Sequence, residues 1–308
     1  MTVDLHTRLA GIDLASPLVL ASGILGVTAS SLAAVARSGA GAVTTKSFSL
    51  EERLGHKGPT LVSFGPGLVN AVGLSNPGWE GASAEIRAYQ SLRPAPLIAS
   101  IFGRTVDEFA AIAERAAEAG PDLLEVNVSC PNVASEFGTP FEADLEVLGS
   151  VTRGVKKAAG SIPVTIKLST NFGSIGRAAA TCADAGADAI TAINTVGPGM
   201  IIDVNVRRPV LSNRAGGVSG PAILPVAVRA VYEIRRAVKL PIIGTGGVAT
   251  AGEALQMIMA GATAVGIGSA VYERGLEVFG EINRGLTEFL ERERLTSLES
   301  LRGAAHAT

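Results

Sequence analysis

Cysteine is scarce in this chain of 308 residues, which contains only Cys130 and Cys182. Two thiols are too few for a disulfide framework or for a four-cysteine cage around a metal or an iron–sulfur cluster. Histidine is also rare, and the three histidines lack the short spacing that is typical of zinc ligands. We therefore expect a protein of the reducing cytoplasm that holds no metal ion.

Charge of one sign is not concentrated anywhere in the chain. The formal net charge is -2, and the lack of a basic block or acidic tail argues against binding to nucleic acid or to an anionic membrane. Uncharged stretches long enough to span a bilayer occur at 14–36, 58–79 and 254–272. Gly, Pro or Ser interrupts each of them in patterns typical of strand, turn and helix, and no basic segment precedes the first. We expect a soluble protein with no membrane-spanning segment and no signal peptide.

Apolar residues are abundant, at 47% of the chain, and form short runs that alternate with helical segments. The predicted strands occupy 17–22, 42–46, 96–102, 123–128, 163–168, 189–193, 241–245 and 264–268. The predicted helices occupy 30–38, 79–92, 106–119, 142–159, 174–185, 223–238, 251–260 and 271–294. Eight strands, each followed by a helix, predict a single domain over 1–308 with the α/β fold of a (β/α)8 TIM barrel. Periodicity leaves a doubly wound open sheet as the alternative, and the strand count favours the barrel.

Three further segments have predicted places relative to this barrel. The segment 5–14 is predicted to form an N-terminal hairpin that plugs the end opposite the strand C-termini. The connections 47–78 and 195–221 are too long for simple turns, and long loops in compact domains usually carry function. In a barrel both would extend over the C-terminal face.

Polar side chains and glycines follow the predicted strands at their C-terminal ends, where TIM barrels hold their active sites. In strand order they are Ala21, Ser22 and Gly23; Lys46 and Ser47; Ser100; Asn127 and Cys130; Lys167; Asn194 and Thr195; Gly246 and Gly247; Gly268 and Ser269. This concentration of lysines, amides and glycines on one rim predicts an active site there.

Several of these features indicate a ligand that carries a phosphate. The glycine steps 244–248 and 266–269 would let backbone N–H groups approach a phosphate after strands seven and eight, although tight turns that need small residues are the alternative. Lys46 and Lys167 lie in apolar strands, where an ammonium needs an anionic partner unless it reaches solvent. The amide-rich loop 70–78 could cover a small polar heterocycle or could be a plain cluster of turns. Cys130 is either a reactive thiol or a small buried one.

The ordered motifs resemble the class 1 dihydroorotate dehydrogenases over nearly the whole chain. The matching segments are Ala21-Ser22-Gly23, Thr45-Lys46-Ser47, Asn70-Ala71-Val72-Gly73-Leu74, Asn127-Val128-Ser129-Cys130-Pro131-Asn132, Lys167, Asn194-Thr195, Ser219-Gly220-Pro221-Ala222 and the two glycine steps. The resemblance implies a TIM barrel that binds FMN and oxidises dihydroorotate to orotate in de novo pyrimidine (UMP) biosynthesis.

The resemblance also implies a role for individual residues. Cys130 would be the general base that takes a proton from C5 of the substrate while C6 gives a hydride to flavin N5. Lys46 would act between flavin and substrate, and Lys167 would stabilise negative charge at the flavin N1/O2 edge. The implied substrate-binding residues are Lys46, Asn70, Ala71, Val72, Gly73, Leu74, Asn127, Asn132, Asn194 and Thr195. The implied FMN-binding residues are Ala21, Ser22, Gly23, Lys46, Ser47, Ser100, Asn127, Lys167, Ile193, Gly220, Gly246, Gly247, Gly268 and Ser269.

The chain resembles the membrane-bound class of this family less, because that class uses serine as base where this chain has Cys130 and carries an N-terminal hydrophobic extension. The segments 194–203 and 208–211 resemble the NAD-linked subclass, class 1B. This likeness implies a homodimer that can form a heterotetramer with an electron-transfer subunit carrying FAD and an iron–sulfur cluster. The chain departs from the family pattern at Ser100, where asparagine is frequent, and at 53–59, a loop that usually contains asparagine.

Three other functions fit parts of the pattern. An FMN-dependent dehydrogenase of a related dihydropyrimidine would keep the cysteine base but change the pocket for the carboxylate. A non-redox phosphate-binding barrel, an aldolase or isomerase, would form a Schiff base at Lys167. A non-catalytic scaffold would leave the polar rim unexplained.

Overall fold

The computed structural model describes residues 3–128 and 141–307. The strands in these two ranges are β1 (Thr7–Leu9), β2 (Ile12–Leu14), β3 (Leu18–Leu20), β4 (Ala42–Thr44), β5 (Leu61–Phe64), β6 (Gly67–Asn70), β7 (Leu97–Ile101), β8 (Leu123–Asn127), β9 (Val164–Leu168), β10 (Ala189–Ala192), β11 (Val196–Gly199), β12 (Ile202–Asp203), β13 (Arg208–Pro209), β14 (Gly216–Ser219), β15 (Ile242–Thr245) and β16 (Ala264–Ile267). The α-helices there are α1 (Ala29–Arg37), α2 (Gly78–Leu92), α3 (Val106–Glu118), α4 (Leu145–Ala158), α5 (Ile175–Asp184), α6 (Leu224–Ala237), α7 (Ala251–Ala260), α8 (Ser269–Arg274) and α9 (Glu277–Arg292). Short 3₁₀ turns span Phe141–Ala143, Pro221–Ile223, Glu299–Leu301 and Ala304–His306.

Eight parallel strands form a closed barrel in the cyclic order β3-β4-β7-β8-β9-β10-β15-β16. Each predicted strand is one of these eight, and the closing pair β16–β3 brings Gly266 opposite Val19. The predicted TIM barrel is therefore confirmed, and the open sheet is excluded because it would leave two strand edges unpaired. All eight strands are buried along their length, which explains their continuous apolar runs.

Proline sets where four of the barrel strands begin. The predicted strands at 17, 96, 163 and 241 each started on a proline, and the observed strands start one residue later. Proline has no N–H to donate to the sheet. Its carbonyl still accepts, as Pro96 does from Val43 and Pro163 does from Leu124. These four strands therefore begin one residue later than predicted, because the proline has no N–H to pair with the neighbouring strand.

Two predicted helices were wrong in their extent. The helix predicted over 142–159 begins only at Leu145, because the Asp144 side chain accepts from the backbone N–H groups of Glu146 and Val147 and caps the first turn. The helix predicted over 271–294 is divided into α8 and α9 at Gly275, which has φ +72. A residue with this positive φ cannot continue a helix, and glycine adopts it without strain.

The N-terminal hairpin closes the barrel at the end where the strands begin. The strands β1 and β2 pair antiparallel, as predicted for 5–14. Leu9 and Leu14 are 1% exposed and form one apolar cluster with residues near the starts of barrel strands. Those residues are Val19, Ala42, Ile98, Leu123, Ile243 and Ala264. The hairpin therefore plugs this end, and ligands must enter from the other.

The two long connections meet over the C-terminal face of the barrel. Strands β5 and β6 come from the first connection, β11 and β14 come from the second, and the four form one antiparallel sheet in the order β11-β14-β6-β5. Gly217 lies opposite Asn70 in the β14–β6 pair. We call this sheet the lid. In the described ranges, none of the helices combines the length and apolar character needed to cross a membrane.

Candidate active site

A cavity of about 300 Å³ lies between the C-terminal ends of the barrel strands and the lid. Its size falls in the usual range for small-molecule sites, roughly 300–1,000 Å³. The predicted site residues that line it are Ala21, Ser22, Gly23, Lys46, Ser47, Asn70, Val72, Gly73, Leu74, Asn127, Lys167, Ile193, Asn194, Thr195, Gly220, Gly246, Gly247, Gly268 and Ser269. Segments far apart in sequence therefore converge on one cavity.

Four predicted site residues are not among the lining residues. Ala71 is fully buried behind the lid, and its N–H donates to Thr60 O at 2.8 Å. Ser100 is also fully buried and lies beneath the cavity wall, with its hydroxyl 2.8 Å from Ser47 Oγ. Cys130 and Asn132 lie outside the described residues.

Sequence reasoning did not single out several residues of the cavity wall. They are Ile24, Leu61, Leu68, Ile223 and Tyr272. Leu61 and Leu68 come from the lid, where the signal was two short apolar runs on either side of Gly65 and Pro66, inside a segment interpreted as a loop. Tyr272 lies on α8, and it is exposed although it borders the cavity.

Lys167, at the end of β9, has an acidic partner inside the protein. Its Nζ donates to Ser22 Oγ at 2.8 Å and lies 3.6 Å from Glu125 Oε1. The side chains of Lys167 and Glu125 are only 7% and 3% exposed. Sequence reasoning expected a bound anion as the partner and did not consider Glu125, although a carboxylate inside an apolar strand was a signal that could have identified it. The pair lowers the cost of burying either charge.

Three asparagine side chains come together at the cavity from different elements. Asn194 Nδ2 donates to Asn127 Oδ1 at 3.3 Å, and Asn194 Oδ1 accepts from the Thr195 N–H at 2.9 Å. In the lid, Asn70 Nδ2 lies 3.4 Å from Gly217 O and links the two long connections. Amide groups offer both donors and acceptors, so this cluster suits a planar ligand with polar edges.

The segment 53–59 packs against the segment 71–74, which follows lid strand β6. Arg53 Nε donates to Gly73 O at 2.6 Å, and His56 N donates to Val72 O at 3.0 Å. The His56 ring places Nδ1 3.1 Å from Ala71 O. These contacts fix the backbone of 71–73, so changes in 53–59 act on the cavity through this segment.

The glycines of the two predicted phosphate steps differ in their surroundings. A Cβ on Gly247 would come within 2.8 Å of Leu224 N, and a Cβ on Gly246 within 2.7 Å of Ala227 Cβ, so α6 requires small residues there. A Cβ on Gly268 would meet no protein atom closer than 3.7 Å, and it would occupy cavity space. Gly266 of the second step is also tightly packed, since a Cβ there would come within 2.0 Å of Thr245 Oγ1. Both steps therefore also satisfy the tight-packing interpretation, and Gly268 is the position that leaves space beside the cavity.

Glu142 and Cys182 are buried titratable groups that lie outside the cavity wall. Burial raises the pKa of Glu142 to about 8, against the hydrogen bond that its Oε1 accepts from Ser169 N at 2.7 Å. Burial also raises the pKa of the Cys182 thiol to about 12, so this cysteine is an unreactive core residue, as its alanine-rich surroundings predicted. Across the described ranges, no group of three or more His, Cys, Asp or Glu side chains is placed to hold a metal ion.

The family profile and the related proteins that match this chain all carry the name dihydroorotate dehydrogenase. A family profile described as Dihydroorotate dehydrogenase matches residues 4–290. "Dihydroorotate dehydrogenase B (NAD(+)), catalytic subunit" of Methanothermobacter thermautotrophicus is 44% identical over 98% of this chain and 98% of its own length. The proteins of the same name from Methanosarcina mazei and Thermococcus kodakarensis are 44% and 42% identical. They cover 97% and 99% of this chain and 94% and 99% of their own lengths.

Proposed function

This chain belongs to the dihydroorotate dehydrogenase family, and we propose that it oxidises dihydroorotate to orotate in pyrimidine biosynthesis, as the catalytic subunit of a class 1B enzyme. The observation that carries this proposal is the convergence of the family's motif residues around one cavity. Lys46, Asn127, Lys167 and Asn194 come from four different barrel strands or the loops after them, yet all four line it.

FMN is the cofactor that we propose for this cavity, where it would accept the hydride from the substrate. The fit rests on the donor set and on the space at Gly268 and Gly23, where a Cβ would meet no protein atom closer than 3.7 Å and none within 4 Å, respectively. Lys167 would hold negative charge at the flavin N1/O2 edge. The phosphate would lie at the glycine steps, on Gly220, Gly246, Gly247, Gly268 and Ser269. The rest of the FMN molecule would be enclosed by neighbouring lining residues, namely Ala21, Ser22, Gly23, Lys46, Ser47, Asn127 and Ile193.

The substrate would bind between this flavin position and the lid. Asn70, Asn127, Asn194 and Thr195 would hold the amide and carboxylate edges of the pyrimidine, with the segment 70–74 above it. Lys46 would lie between the two ligands. Cys130, with Asn132 beside the substrate, would take the C5 proton; this role comes from the sequence motif, because both residues lie outside the described ranges. A thiol with a reference pKa of ~8.5 can serve as base near neutral pH when its surroundings favour the thiolate.

Electrons must leave the reduced cofactor, and we propose that a second subunit receives them. The relatives are named catalytic subunits, which implies that another subunit completes those enzymes. The whole sequence has only two cysteines, too few for its own iron–sulfur cluster. We propose a homodimer that joins a FAD- and iron–sulfur-containing subunit in a heterotetramer, and the reducing cytoplasm as its location.

The purified chain tests this proposal directly. We expect a yellow protein that releases FMN on denaturation and whose flavin is bleached anaerobically by dihydroorotate much faster than by dihydrouracil. A preference for dihydrouracil would favour the related dihydropyrimidine instead. A colourless protein that cannot be reconstituted with FMN would overturn the proposal. Borohydride trapping of a carbonyl substrate on Lys167 would then support the Schiff-base barrel.

A further inference from the structure

Glu125 is a buried carboxylate that lies outside the cavity wall, and the role described for it so far is its pairing with Lys167. It lies in the middle of β8, and its side chain is 3% exposed. One of its oxygens, Oε1, serves two partners: it accepts from Ser100 Oγ at 3.0 Å and lies 3.6 Å from Lys167 Nζ. Glu125 therefore connects the lysine at the proposed flavin edge with a polar network under the proposed substrate site.

One part of this network is a chain of hydrogen bonds from Glu125 through Ser100 and Ser47 to Asn127. The carboxylate determines which group donates and which accepts at each step. An ionised carboxylate, which pairing with Lys167 requires, only accepts hydrogen bonds, so the Ser100 hydroxyl must donate to it. Ser100 Oγ can then only accept from Ser47 Oγ, 2.8 Å away. Ser47 Oγ in turn accepts from Asn127 Nδ2 at a longer distance of 3.4 Å.

The direction continues from Asn127 to the next amide. With its Nδ2 turned toward Ser47, Asn127 presents Oδ1 to Asn194 Nδ2 at 3.3 Å. The Asn194 Oδ1 atom then accepts from Thr195 N. The acceptor beneath the cavity thus sets the orientation of Asn127, and the Thr195 N–H favours the Asn194 orientation that matches it.

The other part of the network is the ion pair between Glu125 and Lys167, which affects the charge at the cavity. Lys167 is almost completely buried, and its ammonium faces Ser22 on one side and Glu125 on another. At low effective dielectric constant, a carboxylate at this distance offsets much of the potential that the ammonium would exert on a neighbouring ligand. Removing the carboxylate charge should make the cavity more positive.

We propose that Glu125 is a positioning residue for the dehydrogenase reaction, which sets the charge at the flavin edge through Lys167 and the orientation of the substrate-binding amides through Ser100. This inference rests on the proposed function and adds to it a residue that does not touch either ligand. The two effects can be tested separately, because Ser100 belongs to the chain of hydrogen bonds and not to the ion pair with Lys167.

Three variants of the FMN-loaded protein test the inference by flavin reduction potential and by orotate dissociation constant. Glu125→Gln keeps the side-chain shape and removes the charge. We expect its potential to rise by about 30 mV, a tenfold change in a two-electron equilibrium, because negative charge on reduced FMN gains net stabilisation. Orotate should also bind less tightly, because the amide of glutamine can donate to Ser100 and reverse the network.

Ser100→Ala interrupts only the network. We expect orotate affinity to fall about three- to tenfold, the usual effect of one hydrogen bond, with the potential unchanged. Asp188→Asn is the matched control, because Asp188 also pairs with a lysine, Lys156, but accepts from Val164 N at the opposite end of β9. We expect neither quantity to change in that variant.

An unchanged or lowered potential in folded, FMN-replete Glu125→Gln would overturn the inference, as would a potential shift in Asp188→Asn of the same size. If Glu125→Gln does not fold, Glu125→Asp decides: the retained charge should leave the potential near the wild-type value while orotate binding weakens, and the reverse pattern would refute the inference. The proposed function is tested separately by the wild-type protein, which must hold FMN and be reduced by dihydroorotate; failure there overturns both.

Discussion

Lys167 is held from two sides, by the Ser22 hydroxyl and by the Glu125 carboxylate. Such contacts remove most of the rotamer freedom of a long side chain before any ligand arrives, and a preorganised donor loses little entropy on binding. Asn127 and Asn194 are arranged in the same way, since each is hydrogen-bonded to a neighbouring residue of the cavity wall. At this scale, the site consists of polar groups whose positions are set by buried partners.

Cys130 is the residue on which the proposed chemistry depends most. Cys130→Ala should retain FMN and lose about 10²- to 10⁴-fold in the rate of flavin reduction by dihydroorotate, because only the proton acceptor is removed. Anaerobic stopped-flow spectroscopy measures this rate. Cys182→Ala is the control and should react normally, since the Cys182 thiol is buried among core residues with its pKa raised to about 12. A normal rate in Cys130→Ala would exclude Cys130 as the base.

Glu142 should make stability depend on pH. Burial raises its pKa from the ordinary 4.5 to about 8, so between these values the folded protein holds a proton that the unfolded chain has released. The free energy of unfolding should therefore decrease as pH rises through this window, by up to about 1.4 kcal/mol per pH unit. Urea unfolding from pH 5 to 8 measures the slope, and Glu142→Gln should reduce it.

Glu146→Gln is the matched control for Glu142, because Glu146 lies nearby on α4 but is exposed. Its slope should remain that of the wild type. Equal slopes for Glu142→Gln and the wild type would mean that this carboxyl does not take up the proton.

Among the secondary-structure elements, the strands of the lid cover the C-terminal face of the barrel and supply one side of the cavity. Its four strands come from two connections that are distant in the chain, and the β14–β6 pair holds them together. Glycine at 216 permits this close approach, since a Cβ there would come within 2.2 Å of Asn70 O. The lid thus positions Asn70 over the cavity through main-chain contacts.

Gly216→Ala should displace Asn70 without unfolding the barrel. We expect the KM for dihydroorotate to rise about tenfold or more, because small misplacements of a binding group weaken substrate binding strongly. Steady-state kinetics and thermal unfolding measure the two effects. Gly252→Ala is the control, since a Cβ on this residue of α7 would meet only Thr250 Oγ1, at 4.0 Å; it should leave KM unchanged and stabilise the protein by ~0.5–1 kcal/mol. An unaltered KM in Gly216→Ala would show that the lid pairing does not position Asn70.

The whole molecule separates stability from chemistry along the barrel axis. One end is filled by Leu9 and Leu14 of the hairpin, and the other carries the cavity and the lid. This division is general in TIM barrels, where the C-terminal face varies with function and the opposite face supports the fold. Mutations at the two ends should therefore affect different properties.

Leu9→Ala tests this separation. The side chain is 1% exposed, and its removal should lower the free energy of unfolding by about 2–5 kcal/mol while KM and flavin reduction stay near wild-type values. Denaturant unfolding and stopped-flow reduction provide both measurements. Ala10 in the adjacent turn is only partly buried, and Ala10→Gly should affect stability less. A change in KM with normal stability would contradict the division of the barrel ends.

Local sequence determined much of this protein. The apolar runs marked the eight barrel strands, and the order of rim motifs indicated the family. These features depend on neighbours within a few residues, such as the proline that delays a strand or Asp144 that delays a helix. They can be read without knowing which distant segments meet.

Only the tertiary structure decided which distant segments meet. The pairing of Gly217 with Asn70, the placement of Ser100 beneath Ser47, and the salt bridge between Glu125 and Lys167 all join residues from different strands or loops. Their geometry follows from barrel closure and from packing of the two long connections, which depend on contacts across the whole chain. The pairing of two buried charges depends on the register of the strands that carry them. For that reason Glu125 was not identified as the partner of Lys167 before the fold was known.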